Sequence, residues 1–161
     1  MTATDLTNAA NLAGVLKLLS ANSTELVKKG EKQLKPFLKQ PSCTEHLLNQ
    51  IQNNEEIVVR HHAALLLKKK LGAFYPKFNA QLKAALKIHL LNLMVSEPDK
   101  GVRTSIAGCV AILAKAVFST SEQWPELFSS LMQMSQDPSE DRRALNYNLL
   151  SQVSVYCLYM S

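Results

Sequence analysis

Little in this sequence breaks a helix. Glycine and proline contribute only five and six of 161 residues, and strand-like alternation of apolar and polar residues is absent, which excludes a turn-rich sandwich or barrel. The three cysteines, Cys43, Cys109 and Cys157, lie far apart with no CxxC pair. Neither a disulfide framework nor a zinc ribbon fits that pattern, and a reducing, intracellular setting is expected. The start Met1-Thr2-Ala3-Thr4-Asp5 lacks the basic and apolar blocks of a signal peptide. The longest strongly apolar run, Ala63 to Leu67, is far shorter than a membrane span, so no membrane insertion is expected. A glycine-rich phosphate loop, a nucleophile elbow, a paired-carboxylate set and HExxH are also missing. These absences point away from an enzyme and away from any cofactor.

What is present is apolar content of 47%, recurring at three- and four-residue spacing from end to end. An all-α chain follows, and its length suits one continuous core. Eighteen Lys and Arg against thirteen Asp and Glu give a net charge of +5. That favours acidic partners without choosing between nucleic acid, phospholipid and protein. Asn22 with Glu25 and Ser42 with Glu45 fit capping boxes, Ser121 stands before Trp124-Pro125, and Asn79 and Asp99 are further caps. The expected helices are Leu6–Leu19, Ser23–Lys39, Thr44–Asn53, Glu55–Leu71, Asn79–Val95, Asp99–Phe118, Glu122–Ser135 and Ser139–Tyr159. Pro36 should kink the second or end it early.

The eight helices pair into four hairpins, and the second helix of each begins alike. Asn22 and Lys28, Asn54 and Arg60, Glu97 and Arg103, and Asp137 and Arg143 each stand six residues apart, and the pairs recur at intervals of 32, 43 and 40 residues. An interval near 40 with two helices per unit is that of helical solenoids, whereas tetratricopeptide repeats keep a stricter 34 and different aromatic positions. One domain over residues 1–161 is expected, an α-α superhelix with repeats at roughly 6–40, 43–72, 79–118 and 121–160. A short acceptor in the turn would meet the base on the next helix, forming a ladder within and between repeats. On a helical wheel Arg60 falls beside Ala64, Leu67 and Leu71, and Arg103 beside Ala107, Val110 and Ala114. Both therefore read as structural. Losing a rung should cost on the order of 1–3 kcal/mol. Lys28, Lys29, Lys32 and Lys35 give the first repeat a polar, end-capping character, while Val153, Val155, Tyr156, Leu158 and Tyr159 leave the other end apolar, as if cut from a longer solenoid.

The stretch Ile57-Val58-Val59-Arg60-His61-His62-Ala63-Ala64-Leu65-Leu66-Leu67-Lys68-Lys69-Lys70-Leu71 resembles the second HEAT repeat of the importin-beta, or karyopherin-beta, family. Ser20 to Thr24 and Glu31-Lys32-Gln33-Leu34 resemble its first repeat, and Trp124-Pro125-Glu126-Leu127 the opening of its fourth. The likeness runs from about Leu12 to Val153; Phe74-Tyr75 replaces a tryptophan common in the family. It implies a fragment of a much longer receptor that supports nuclear import of protein cargo and shuttles between cytoplasm and nucleus. This end would bind Ran-GTP through the second helices, and the full-length receptor would also engage FG nucleoporins.

Within that resemblance His61, His62, Lys68, Lys69 and Lys29 are the candidate Ran-binding residues. On the Glu55–Leu71 helix His61 shares an angle with Lys68, and His62 with Lys69, on the one side that is not wholly apolar. A solvated face that keeps the chain soluble explains the same pattern, and both readings stand at this point. Adjacent histidines point about 100° apart and do not grip one ion alone, so no metal is expected. A HEAT or armadillo-like adaptor without a GTPase partner remains an alternative, as does nonspecific nucleic-acid binding through the lysine-rich first hairpin. The residues after Arg60, Arg103 and Arg143 (His61-His62, Thr104-Ser105 and Ala144-Leu145) spell no base-reading code, so no specific nucleic acid is expected.

Overall fold

The computed structural model describes residues 1–160 and side chains through residue 158; the expectation at Tyr159 lies outside the described side chains. The described residues form α-helices and two short 3-10 turns, with no strand. The helices are α1 (Ala9–Leu18), α2 (Thr24–Phe37), α3 (Cys43–Asn53), α4 (Ile57–Phe74), α5 (Ala80–Ser96), α6 (Lys100–Ser119), α7 (Pro125–Met134) and α8 (Glu140–Met160). The 3-10 turns are Asp5–Thr7 and Tyr75–Lys77. The chain divides into two compact units, residues 1–70 and 71–161, and α4 runs through the division.

In the first unit, Leu6, Leu12, Val15, Leu16, Leu34, Phe37, Leu47, Leu48, Ile51, Val59, Ala63, Ala64 and Leu67 form the buried core. Gly30 is what lets α1 and α2 approach. A Cβ built on it would stand 3.0 Å from Cβ of Leu18 and 3.3 Å from the Val15 carbonyl oxygen. Gly14, on α1, has nothing within 4 Å of the same position. Pro36 ends α2 early: the last helical residue is Phe37, and the Leu38 N–H still reaches the Leu34 carbonyl.

In the second unit α6 packs against both α5 and α8. By length and composition α6 would cross a bilayer, but more than half of its apolar window is buried in the protein, so it reads as a core helix. Val102, Ile106, Cys109, Val110, Leu113, Ala114 and Val117 account for that burial, with Trp124, Leu127, Leu131, Leu149 and Val153 around them.

Capping differs from the sequence reading in its details. Asn79 and Asp99 do cap α5 and α6, accepting the N–H groups of Leu82 at 2.8 Å and Val102 at 2.9 Å. Asn8, not anticipated, caps α1 by accepting from Ala10 and Asn11. Neither expected capping box forms: the N-cap of α2 is Ser23, one residue after Asn22, and neither Ser23 nor Ser42 makes a capping bond through its side chain. For Ser42 the reason is local. A turn leads straight into α3, so the N–H groups of Cys43 and Thr44 already donate to Gln40 and Pro41, and Ser42 itself has helical φ and ψ. The seventh helix starts three residues later than expected, with Pro125 at its first position. Ser121, at φ 60°, turns the chain out of α6 in the left-handed region, a conformation that places Glu122 outside either helix.

Candidate functional site

Three of the four six-residue pairs resolve into one recurring geometry. The Arg60 guanidinium donates to the main-chain carbonyls of Asn54 at 3.1 Å and Glu55 at 2.9 Å. Arg103 donates to the Glu97 carbonyl at 3.1 Å, and Arg143 to the carbonyls of Asp137 at 2.7 Å and Pro138 at 3.0 Å. The side chain of the earlier residue folds forward instead. Asn54, Glu97 and Asp137 accept the N–H of Glu56, Asp99 and Ser139, each two residues on. Each turn is thus held from both sides, by a side-chain oxygen ahead and a guanidinium behind. Among the described residues no hydrogen bond joins Asn22 to Lys28, and both are exposed. A lysine has no planar fork with which to reach two carbonyls at once.

Links between successive hairpins use other residues. Lys17 pairs with Glu56 in the first unit, and in the second Lys100 pairs with Asp141 at 2.8 Å while Arg142 donates to the Val95 carbonyl at 2.6 Å. The Asp141 carboxyl is held below its ordinary range by the Lys100 hydrogen bond.

A denser polar cluster, not visible in the sequence, lies where α5 meets the turn before α7. Glu122 accepts the Tyr75 hydroxyl at 2.6 Å and Lys83 at 3.1 Å, with Lys87 at 3.4 Å. The Tyr75 hydroxyl first, then Lys83 and Thr120, hold the Glu122 carboxyl down to about 2. Burial pushes the Tyr75 phenol upward, and Glu122 adds to it. Lys83 also lies over the Tyr75 ring, 4.8 Å from its centroid. Burial likewise pushes the Cys43 thiol up to about 11, which leaves it inert near neutrality.

The five residues proposed for partner binding do not form one patch. In the first unit a groove of about 580 Å³ runs between α2 and α4, and His62 and Lys69 line it together with Leu65 and Leu66. His61 and Lys68 sit about a third of a turn round α4 from the groove. Lys29 lies on the far side of α2 from its groove-lining residues Val27, Leu34 and Leu38. Lys29, Lys68 and Lys69 are exposed, whereas His61 and His62 are half-buried. His62 shares a hydrogen bond with the Ser20 hydroxyl, and burial, then His61, lowers its pKa. Its ring stands 6.2 Å from that of His61, and among the described residues no group of three or more His, Cys, Asp or Glu side chains converges as metal ligands would.

Helical hairpins whose turns are held by structural arginines define a class, that of α-helical repeat proteins. The particular family emerges from comparison with known proteins. Residues 30–96 match the family model of the importin-beta N-terminal domain, and residues 98–156 match that of IPO5-like TPR repeats. The chain belongs to the importin-beta family. Solved structures of Kap121p share its fold. Kap121p bound to RanGTP is 18% identical with a TM-score of 0.78, over 92% of this chain and 14% of Kap121p. Unbound Kap121p gives 18% and 0.78 over 94% and 15%, and Kap121p bound to Nup53p gives 19% and 0.77 over 96% and 15%. The chain therefore spans about one seventh of the length of these relatives. No curated protein matches it.

Proposed function

We propose that this chain is the Ran-GTP-binding portion of a nuclear transport receptor that carries protein cargo through nuclear pores, and that it acts by binding and not by catalysis. The observation that supports this most directly is the exposed pair Lys68 and Lys69 on α4, in a family member whose fold matches that of Kap121p bound to RanGTP. His61 and His62, half-buried and two turns earlier on α4, add polar contacts beside that pair in this reading, and Lys29 makes a separate contact from α2. On this reading cargo is held elsewhere in the receptor, nucleoporins are further partners as Nup53p is for Kap121p, and the receptor shuttles between cytoplasm and nucleus.

The turn arginines Arg60, Arg103 and Arg143, with Asn54, Glu97 and Asp137, keep a structural role in this reading. They tie the second helix of the last three hairpins to its turn, and so hold exposed side chains such as Lys68 and Lys69 in place.

Binding of the 161-residue chain to Ran loaded with GTP or GDP tests the proposal. Preference for the GTP form is expected, with Lys68→Glu and Lys69→Glu each weakening it about tenfold, as charge reversal at an interface does. Equal or absent binding to the two nucleotide states sinks the site assignment.

A further inference from the structure

We infer that the groove between α2 and α4, which shares His62 and Lys69 but not Lys68 with the proposed Ran surface, takes an acidic amphipathic helix from a partner protein. The charge of the chain is concentrated around it. Ten cationic against six acidic side chains lie in residues 1–70, compared with eight against seven in the remainder. Four of those cations are Lys28, Lys32 and Lys35, which at spacings of four and three residues form one stripe along α2, and Lys39, two residues past its end. All four are exposed, and among the described residues none of them forms an ion pair. Lys35 and Lys39 line the groove itself, and Lys69 and Lys70 stand on its α4 side.

The floor between those rims is apolar. Val27 and Leu34 from α2 and Leu38 just past its end line it together with Leu65 and Leu66 from α4, and Leu65 remains 36% exposed. Two cationic rims over an aliphatic floor match a helix with a leucine-type stripe flanked by carboxylates. The four- and three-residue spacing of Lys28, Lys32 and Lys35 is also the spacing at which such a helix would present its acids. A nucleic acid fits less well. Its phosphates would meet the rims but leave the floor unused, and Glu31, which also lines the groove, would repel them.

The test uses the whole chain and a fluorescently labelled peptide of about 18 residues, long enough to span the groove as a helix, with leucines on one face and glutamates flanking them. A peptide of the same composition, scrambled so that the two residue types no longer segregate, controls for bulk charge. Single-stranded DNA of similar length is the third probe. Fluorescence anisotropy should show the amphipathic peptide binding at least about tenfold more tightly than either competitor. Lys35→Glu with Lys39→Glu should weaken it about tenfold or more, while Lys68→Glu should leave it within about twofold. Because Lys35 and Lys39 are exposed, circular dichroism should show both proteins equally helical. Equal binding of the scrambled peptide, tighter binding of DNA, or indifference to the Lys35 and Lys39 reversals would overturn the inference. His62 and Lys69 belong to both surfaces, so Lys68→Glu, outside the groove, and the Lys35 and Lys39 reversals, outside the residues proposed for Ran, are the variants that separate the two readings.

Discussion

The guanidinium of Arg103 donates to the main-chain carbonyl of Glu97, six residues earlier, and the two side chains are only 7% and 6% exposed. In the other two turns the same bond is partly open to water: Arg60 and Arg143 are half-buried. Burial decides how much each contributes, because a carbonyl left without its donor pays the full desolvation penalty only where water cannot replace it. Arg103→Met should therefore destabilise the chain by about 2–4 kcal/mol, and Arg60→Met or Arg143→Met by about 1 kcal/mol each. Arg103→Lys should recover part of the loss. Urea unfolding followed by circular dichroism gives the order, and equal losses at all three positions would show that burial is not the deciding variable.

The Glu122 cluster makes a prediction about pH. Its carboxyl is lowered to about 2 in the folded chain, so the folded state holds the ionised form more tightly than the unfolded state does. The stabilisation is fully present above the ordinary glutamate range and is lost as pH falls from about 5 towards 2. Since Glu122 is 31% exposed, the gain is reduced by solvent to about 1–2 kcal/mol. Glu122→Gln should flatten that part of the stability profile. Tyr75→Phe should do so in part, since Lys83 remains, and an unchanged acid limb in the Gln variant would remove the cluster from the account.

How much of this was legible varies with the kind of contact. The spacing of Glu97 and Arg103 located a real bond, because six residues carry a side chain from the first turn of a helix back to the preceding loop. It did not reveal the acceptor, since every residue carries the same carbonyl and only the fold decides which one is free. The helix periods were legible throughout, and helix ends were less so: α3 has no need of Ser42 because a turn already supplies its partners. On α4 a wheel grouped His61 and Lys68 with His62 and Lys69, but a single helix does not say where its neighbour stands. The position of α2 puts only His62 and Lys69 in the groove. Glu122, with Tyr75 47 residues away, left no local pattern to find.

Asn146 offers a gain in stability. It is 1% exposed on α8, and neither atom of its side-chain amide has a hydrogen-bond partner. Leu149 and Val153, three and seven residues on, place its face of the helix in the apolar core. Leucine has nearly the same shape and no polar atoms to desolvate. Asn146→Leu should therefore raise stability by about 1–3 kcal/mol, read as a higher melting temperature. Asn146→Asp should lower it steeply, and a destabilised leucine variant would mean that the amide has a partner after all.

Two glycines in the first unit should respond to the same substitution with opposite signs. Gly14 faces open space on α1, so alanine there meets nothing and removes the backbone freedom that makes glycine a poor helix former. Gly14→Ala should stabilise by about 0.5–1 kcal/mol. Gly30 has the same propensity to gain, but its new Cβ would stand 3.0 Å from Cβ of Leu18, an atom fixed to the α1 backbone, and 3.3 Å from the Val15 carbonyl. Neither neighbour is the free end of a flexible side chain, so α1 must move, and overpacking of this kind costs about 1–3 kcal/mol. That exceeds the propensity gain, and Gly30→Ala should destabilise on balance. Measuring both variants by thermal unfolding separates the two effects, because propensity alone would shift both midpoints upward, while close helix packing shifts only the Gly30 variant down.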